Sequence, residues 1–106
     1  MSRELTLSMG TSDGTYRLRQ ALYNLLTHEV EITIIYDGSR TSDQTLCVLQ
    51  KEELRPHSNT YGWCTIINEE GSTAVGYCSI DTNGVIRQRV TSGNTKRINI
   101  KIKYIV

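Results

Sequence analysis

The sequence is short of the residues that mark several classes of protein. It has no Phe, one Trp and one Pro among 106 residues, and its formal net charge is only +1. A chain of this length fits one domain with one modest core, so we expect residues 1–106 to form a single domain. The near-neutral charge argues against a nucleic-acid partner, because nucleic-acid surfaces usually carry a clear basic excess.

Membrane and export signals are missing too. No apolar run approaches the ~20 residues that a membrane-spanning helix needs, so we expect no membrane insertion. The chain starts Met-Ser-Arg-Glu-Leu and lacks the apolar stretch of a signal peptide. Export by that route is therefore not expected.

Cysteine is sparse and widely spaced. Cys47, Cys64 and Cys78 make an odd count, whereas zinc sites usually place paired ligands about two to four residues apart. The two histidines, His28 and His57, are also far apart. We expect three reduced, mostly buried thiols, no metal site and no cofactor. One disulfide with a spare thiol is the alternative.

No catalytic motif is present in the sequence. It contains no Gly-rich phosphate loop, nucleophile elbow or His-Glu-x-x-His motif. The adjacent Glu52 and Glu53 would point apart on a strand, and in a turn both would be solvated. A triad assembled in space is the remaining alternative, although neither histidine has an obvious partner in sequence. We therefore expect a binding or structural domain and not an enzyme, with no catalytic residues.

Alternating apolar residues predict a chain made almost wholly of β-strands. The clearest pattern begins at Ile98, where Asn and Lys separate apolar residues and a half-buried strand is expected. The residues predicted to face the core are Ile98, Ile100, Ile102, Tyr104 and Val106. Further strands are expected at 30–36, 44–49, 61–68, 73–81 and 85–91.

Turn signals separate these strands. Asn83-Gly84 predicts a type I′ hairpin, because both residues tolerate positive φ, and further turns are expected at 37–40, 69–72 and 92–94. The last strand would then complete a three-stranded meander. The sequence predicts an all-β fold, an antiparallel β-sandwich or barrel of about 7–8 strands that are mostly neighbours in sequence. Its folding should be slow.

Residues 16–26 allow two interpretations. Four leucines have the spacing of one helix face: Leu18, Leu22, Leu25 and Leu26. Ser12 or Asp13 could cap such a helix. The surrounding strands leave little room for a lone helix, so strand or irregular structure is favoured and one short helix is the alternative.

The loop that enters the strand at 61–68 is the best candidate for ligand binding. It gathers polar and aromatic groups: Arg55, His57, Asn59, Tyr61 and Trp63. Sugar sites combine an aromatic face with a few polar groups that bind hydroxyls. Trp63 could instead fill the core or a subunit interface, which the lack of Phe favours. Arg55 could bond loop carbonyls, which would leave His57 and Asn59 as the exposed groups.

Two lysines, Lys101 and Lys103, share one face of the last predicted strand with Asn99. The simpler interpretation is a solvated face, or lysines that guard an edge strand against aggregation. An anionic ligand such as a phosphorylated glycan is the alternative.

From Leu46 to Val106 the sequence resembles the C-terminal head domain of phage tail-fibre and baseplate receptor-binding proteins. The resemblance rests on an ordered set of motifs, namely the turn at 53–56, the aromatic strand at 61–66, the hairpin at 74–86 and the terminal strand that ends at 104–106. The segment 30–36 would be the preceding core strand. Two departures are Gln50-Lys51, where the family more often has proline, and the short lead-in, where such proteins usually carry shoulder or neck regions.

The resemblance implies a homotrimeric head at the tip of a virion appendage, which attaches to a saccharide on the host cell surface. Trimerisation would add avidity. The expected function is thus that of a receptor-binding or adhesion module of a tail fibre or baseplate. The alternative is a non-catalytic structural virion protein (head fibre, decoration or baseplate assembly) that contacts other virion proteins. A glycan depolymerase is less favoured because no carboxylate pair stands out.

Overall fold

The structure is a computed structural model that describes residues 2–9, 14–38, 44–89 and 95–106, and these residues form nine β-strands. The strands are β1 (Ser2–Leu5), β2 (Leu7–Met9), β3 (Gly14–Asn24), β4 (Glu29–Gly38), β5 (Gln44–Leu49), β6 (Thr60–Asn68), β7 (Thr73–Ile80), β8 (Val85–Arg89) and β9 (Thr95–Ile105). A 3-10 turn, Glu52–Leu54, lies between β5 and β6.

The strands form one antiparallel sheet in the order β1-β3-β4-β9-β6-β7-β8-β5-β2, which nearly closes into a barrel-like sandwich. The N-terminal segment closes it, because β1 pairs with β3 at one edge and β2 pairs with β5 at the other. Only Thr6 separates β1 from β2, and its carbonyl accepts the Gln50 N–H at 3.1 Å. The all-β prediction is confirmed, with β1 and β2 as strands that the sequence pattern missed.

The last strand occupies a different position from the one predicted. β9 lies between β4 and β6 and does not pair with β8, so the predicted meander is wrong. Of the eight strand pairs in the described sheet, only β3–β4, β6–β7 and β7–β8 join strands that are neighbours in sequence, so the prediction of mostly sequential neighbours is wrong as well. An alternating pattern fixes which side chains point inward but not which strands lie on either side. Lys101 and Lys103 therefore do not guard a sheet edge, since β9 is paired on both sides.

Isoleucine is the most common residue of the core, and many of the isoleucines lie on the inner faces of β4 and β9. Ile32 opposes Ile102 and Ile34 opposes Ile100 across these two strands, and all four are at most 2% exposed. Full burial of such a side chain stabilises the fold by about 1.5–3 kcal/mol. The predicted inward face of β9 is confirmed, and its last two members are partly buried where the strand ends.

Residues 14–24 form strand β3, so the helical alternative for 16–26 is wrong. Ala21 is buried opposite Ile32, whereas Leu18 is exposed and Leu25 and Leu26 lie in the turn between β3 and β4. The spaced leucines therefore never form one buried face. The candidate capping positions, 12 and 13, lie outside the described residues.

The turn between β7 and β8 differs from the predicted type. Gly84 has a positive φ (+79°) but Asn83 does not, and the Gly84 N–H donates to the Asp81 carbonyl at 2.9 Å. This is a type I turn followed by a left-handed glycine and not a type I′ turn. The Asp81 carboxylate stabilises it by accepting the N–H groups of Asn83 and Val85.

The other predicted turns have mixed outcomes. The turn at 69–72 is confirmed, with Gly71 at φ +91°. The first two residues of the turn expected at 37–40 belong to β4, and its other two lie outside the described residues. The turn at 92–94 and the last two residues of the strand predicted at 85–91 also lie outside the described residues. The remaining predicted strands match β4 to β9 closely, and β5 has the predicted bounds.

Candidate functional site

Three exposed aromatic side chains lie together on the outer face of β6 and β7. Trp63 and Tyr77 are directly opposite one another across the two strands, and Tyr61 lies two residues from Trp63 on the same face. Their exposed fractions are 75% for Trp63, 61% for Tyr61 and 41% for Tyr77. The rings of Tyr61 and Tyr77 have centroids 6.2 Å apart. We call these three residues the aromatic patch.

Strand periodicity places Trp63 on this outer face. Successive side chains of a strand point to opposite sides, and the next residue, Cys64, is buried together with Ile66 on the inner side. The predicted division of this strand into two faces is confirmed. The interpretation of Trp63 as a core residue is wrong, because isoleucine and leucine fill the interior and the ring stays outside. Its position at a subunit interface stays a prediction.

The aromatic patch borders a shallow depression of about 310 Å³. It is lined by Tyr61, Gly62, Trp63 and Tyr77, and its volume is near the lower end of the range for small-ligand sites. Gly62 allows β6 to lie close to β9, since a Cβ atom at this position would be 2.5 Å from the Lys101 carbonyl oxygen. The position of Trp63 is thus set by a closely packed strand pair.

Only two of the five predicted site residues belong to this depression. Tyr61 and Trp63 line it, whereas His57 and Asn59 are exposed in the preceding loop and do not line it. Tyr77 is the residue that sequence reasoning missed. Counting outward from the turn predicted at 69–72 pairs position 63 with position 78, one residue from its true partner, and a one-residue slip turns every side chain to the other face. The sequence therefore predicted the hairpin but not the register that brings Tyr77 opposite Trp63.

Arg55, the fifth predicted residue, bonds a loop carbonyl, as one interpretation of the sequence expected. Its side chain is half-buried, and Nε donates to the Leu49 carbonyl at 2.9 Å. A Cβ atom on Gly84 would be 2.7 Å from both Arg55 Nε and the Leu49 oxygen. Arg55 therefore joins the end of β5 to the β7–β8 turn, and it does not line the depression.

The lysines of β9 flank the aromatic patch. Lys101 is directly opposite Trp63, and its Nζ atom lies 3.0 Å from Glu31 Oε1. Lys103 Nζ lies 3.7 Å from the other oxygen of the same carboxylate. The hydrogen bond from Lys101 lowers the pKa of Glu31, and the charge of Lys103 adds to this effect. The two lysines form a solvated face on which they share one carboxylate.

The thiols lie on the inner side of the barrel. Cys47, Cys64 and Cys78 are free and buried, as predicted, so the disulfide alternative is wrong. Burial raises the pKa of Cys47 and of Cys78 to about 12, so both stay protonated at neutral pH and lack the thiolate that a nucleophile needs. Within the described residues no group of three or more His, Cys, Asp or Glu is arranged to hold a metal ion.

No protein-family model, curated protein or solved structure matches this chain. In the described part of the chain, no helix combines the length and the apolar character needed to cross a membrane. The aromatic patch and its charged surroundings are therefore the features from which a function can be argued.

Proposed function

We propose that this protein is a non-catalytic, saccharide-binding module that attaches a virion to its host, as a receptor-binding part of a phage tail fibre or baseplate. The exposed aromatic patch is the single observation that carries the saccharide-binding part of this proposal. The resemblance in the sequence from Leu46 to Val106 supports the virion location and the homotrimer.

Exposed aromatic rings are costly to leave in water, and contiguous apolar patches on a protein surface usually mark binding sites. The patch offers ring faces that can stack on the C–H groups of a sugar, and the two tyrosines add hydroxyl groups that can bond sugar hydroxyls. All three residues lie on strands, which hold a binding geometry more accurately than loops. His57 and Asn59, exposed in the loop before β6, could contact a longer ligand.

The structural alternative is favoured by a second exposed apolar group. Leu25 and Leu26 in the β3–β4 turn and Ile105 at the end of β9 are exposed, Leu26 by 80%. Aromatic and aliphatic side chains are common at the centre of protein interfaces. A virion decoration, head-fibre or baseplate assembly protein would cover such surfaces with other virion proteins.

Trp63 provides a direct test because it is the only tryptophan in the chain. Host surface polysaccharides titrated into the protein should change its fluorescence. Tyr77→Ala keeps the tryptophan but removes a ring of the patch, and it should weaken binding by about 2 kcal/mol, roughly 30-fold. Leu26→Ser is the matched control, since it removes an exposed apolar side chain outside the patch and should leave binding unchanged.

Failure of every host polysaccharide to bind would contradict the saccharide proposal. Co-purification with capsid or baseplate proteins that Trp63→Ala abolishes would then support the structural alternative. Light scattering tests the oligomeric state independently, and a homotrimer requires three times the 12.0 kDa chain mass.

A further inference from the structure

Charge is distributed unevenly around the barrel. Strands β9, β6, β7 and β8 are consecutive neighbours in the sheet. Together they contain six Lys or Arg residues and no Asp or Glu, although the net charge of the whole chain is only +1. The six are Arg87, Arg89, Lys96, Arg97, Lys101 and Lys103. The aromatic patch lies on the two central strands of this cationic half.

We infer that the saccharide bound at the aromatic patch is anionic, with a carboxylate or phosphate group next to the stacked sugar ring. This inference rests on the proposed function and narrows it to a chemical class of ligand. It rests on two observations. A cation lies on each side of the patch, and the carboxylate paired with one of these cations, Lys101, is shared with a second lysine.

One cation adjoins the patch on the β9 side and another on the β8 side. Lys101 is directly opposite Trp63, so the two side chains share a face with Cβ atoms about 5 Å apart. On the other side, Arg87 is directly opposite Ser79, which is itself opposite Tyr61. Arg87 is therefore two strands from the Tyr61 ring, roughly 10 Å in backbone distance, which its long side chain can largely span.

The nearby carboxylates do not cancel this charge. Glu31 is shared between Lys101 and Lys103, at 3.0 and 3.7 Å, so one negative charge faces two positive charges. Asp37 accepts hydrogen bonds from Arg97 and Arg17 further along the sheet, and these lower its pKa. Lys101, Lys103 and Glu31 together therefore carry one net positive charge beside the patch, which would attract an anionic group.

A single-stranded nucleic acid is the other anionic polymer that aromatic and basic side chains can bind. Such proteins carry a continuous basic groove that follows many phosphates. Here the two strands that carry the patch, β6 and β7, contain no Lys or Arg, and the depression of about 310 Å³ matches one or two sugar rings better than an extended nucleic-acid strand. The arrangement favours the saccharide.

Matched pairs of ligands test the inference by Trp63 fluorescence. Galacturonate oligosaccharides are compared with their methyl esters, and phosphomannan oligosaccharides are compared before and after phosphatase treatment. We expect the acidic member of at least one pair to bind more tightly. Its advantage should shrink in 1 M NaCl, where the screening length falls to about 3 Å.

Charge variants separate electrostatic attraction from loss of folding. Lys101→Gln should weaken binding of the acidic ligand about two- to five-fold, and Glu31→Gln should strengthen it by a similar factor, since exposed charge pairs contribute up to about 1 kcal/mol. Lys96→Gln is the control, because it removes the same charge roughly 17 Å along β9 and should change nothing. The neutral ligands should bind all variants alike.

Three other binding results would contradict the inference, each for a different reason. If the neutral members bind as tightly as the acidic ones, the ligand class is wrong and saccharide binding stands. If neither kind binds, both proposals fail. If a single-stranded dT oligonucleotide binds and no saccharide does, the patch is a nucleic-acid site.

Discussion

Replacement of Gly62 by alanine tests how closely β6 and β9 approach one another beneath the aromatic patch. The added Cβ would lie 2.5 Å from the Lys101 carbonyl oxygen, 3.1 Å from an Ile102 side-chain carbon and 3.3 Å from Cys78 Sγ. The nearest atom belongs to backbone, so it cannot move aside without separating the strands. Overpacking of this kind costs about 1–3 kcal/mol.

Part of that cost is offset in the unfolded chain. Alanine has less backbone freedom than glycine there, which favours folding by about 0.4–1 kcal/mol. The net expectation for Gly62→Ala is a loss of about 1–2 kcal/mol, which lowers Tm by roughly 5–15 °C for a domain of this size. Thermal unfolding followed by far-UV circular dichroism is the suitable assay, because Trp63 is already exposed in the folded state.

Gly71 provides the control. It has a positive φ of +91° and no atom within 4 Å of an added Cβ, so Gly71→Ala meets conformational strain but no clash. It should cost about 1 kcal/mol and leave ligand binding unchanged, whereas Gly62→Ala should weaken binding by shifting Trp63. If Gly62→Ala unfolds at or above the wild-type Tm, the close approach of β6 and β9 does not require glycine at position 62, and the reasoning is refuted.

Three further predictions concern the interior and one turn. Tyr104→Phe removes a hydrogen bond to the Leu54 carbonyl (2.7 Å) and should cost about 1 kcal/mol in urea unfolding; no change would mean that the hydroxyl is satisfied by water. Asp81→Ala removes the acceptor of two turn N–H groups and should cost about 1–2 kcal/mol in the same assay. Burial raises the pKa of Cys47 and Cys78 from 9.0 to about 12. The contribution of these protonated thiols to the free energy of unfolding is therefore complete below pH 9.0, and it is lost as the pH rises towards 12. At pH 8 Ellman's reagent should label no buried thiol of the folded protein and all three in guanidinium, and fast labelling of the folded protein would refute this.

Most of the strands could be predicted from the local alternation of apolar and polar residues. β9 alternates Ile with Asn or Lys, and Ile98, Ile100 and Ile102 are buried as the pattern requires. β1 and β2 were missed because segments of four and three residues are too short to show a period. The leucines at 18, 22, 25 and 26 gave a misleading helical spacing because the first two belong to β3 and the last two to the following turn.

Strand order could not be predicted because it depends on pairing between distant segments. Ile32 pairs with Ile102 and Val30 with Tyr104 across β4 and β9, and nothing local in either strand specifies the other. β9 has apolar residues on one face and polar ones on the other, which suits an edge or a central position equally well.

The sequence predicted two of the three residues of the aromatic patch. The aromatic content of the loop and strand drew attention to Tyr61 and Trp63, and their exposure supports that choice. Tyr77 required the hairpin register. The lack of Phe suggested that the one Trp must fill the core, but the β-branched isoleucines pack the interior without it.

The central position of β9 has a consequence for the order of events during biosynthesis. β4 and β6 leave the ribosome well before β9, and until residues 95–105 emerge each of them lacks the partner that will join them. The earlier strands can pair only as two groups, β1-β3-β4 and β6-β7-β8-β5-β2, which Thr6 links on the side of the sheet away from β9. Barrel closure is therefore a late step, and a nascent chain stalled before residue 95 should be captured by chaperones and digested by protease.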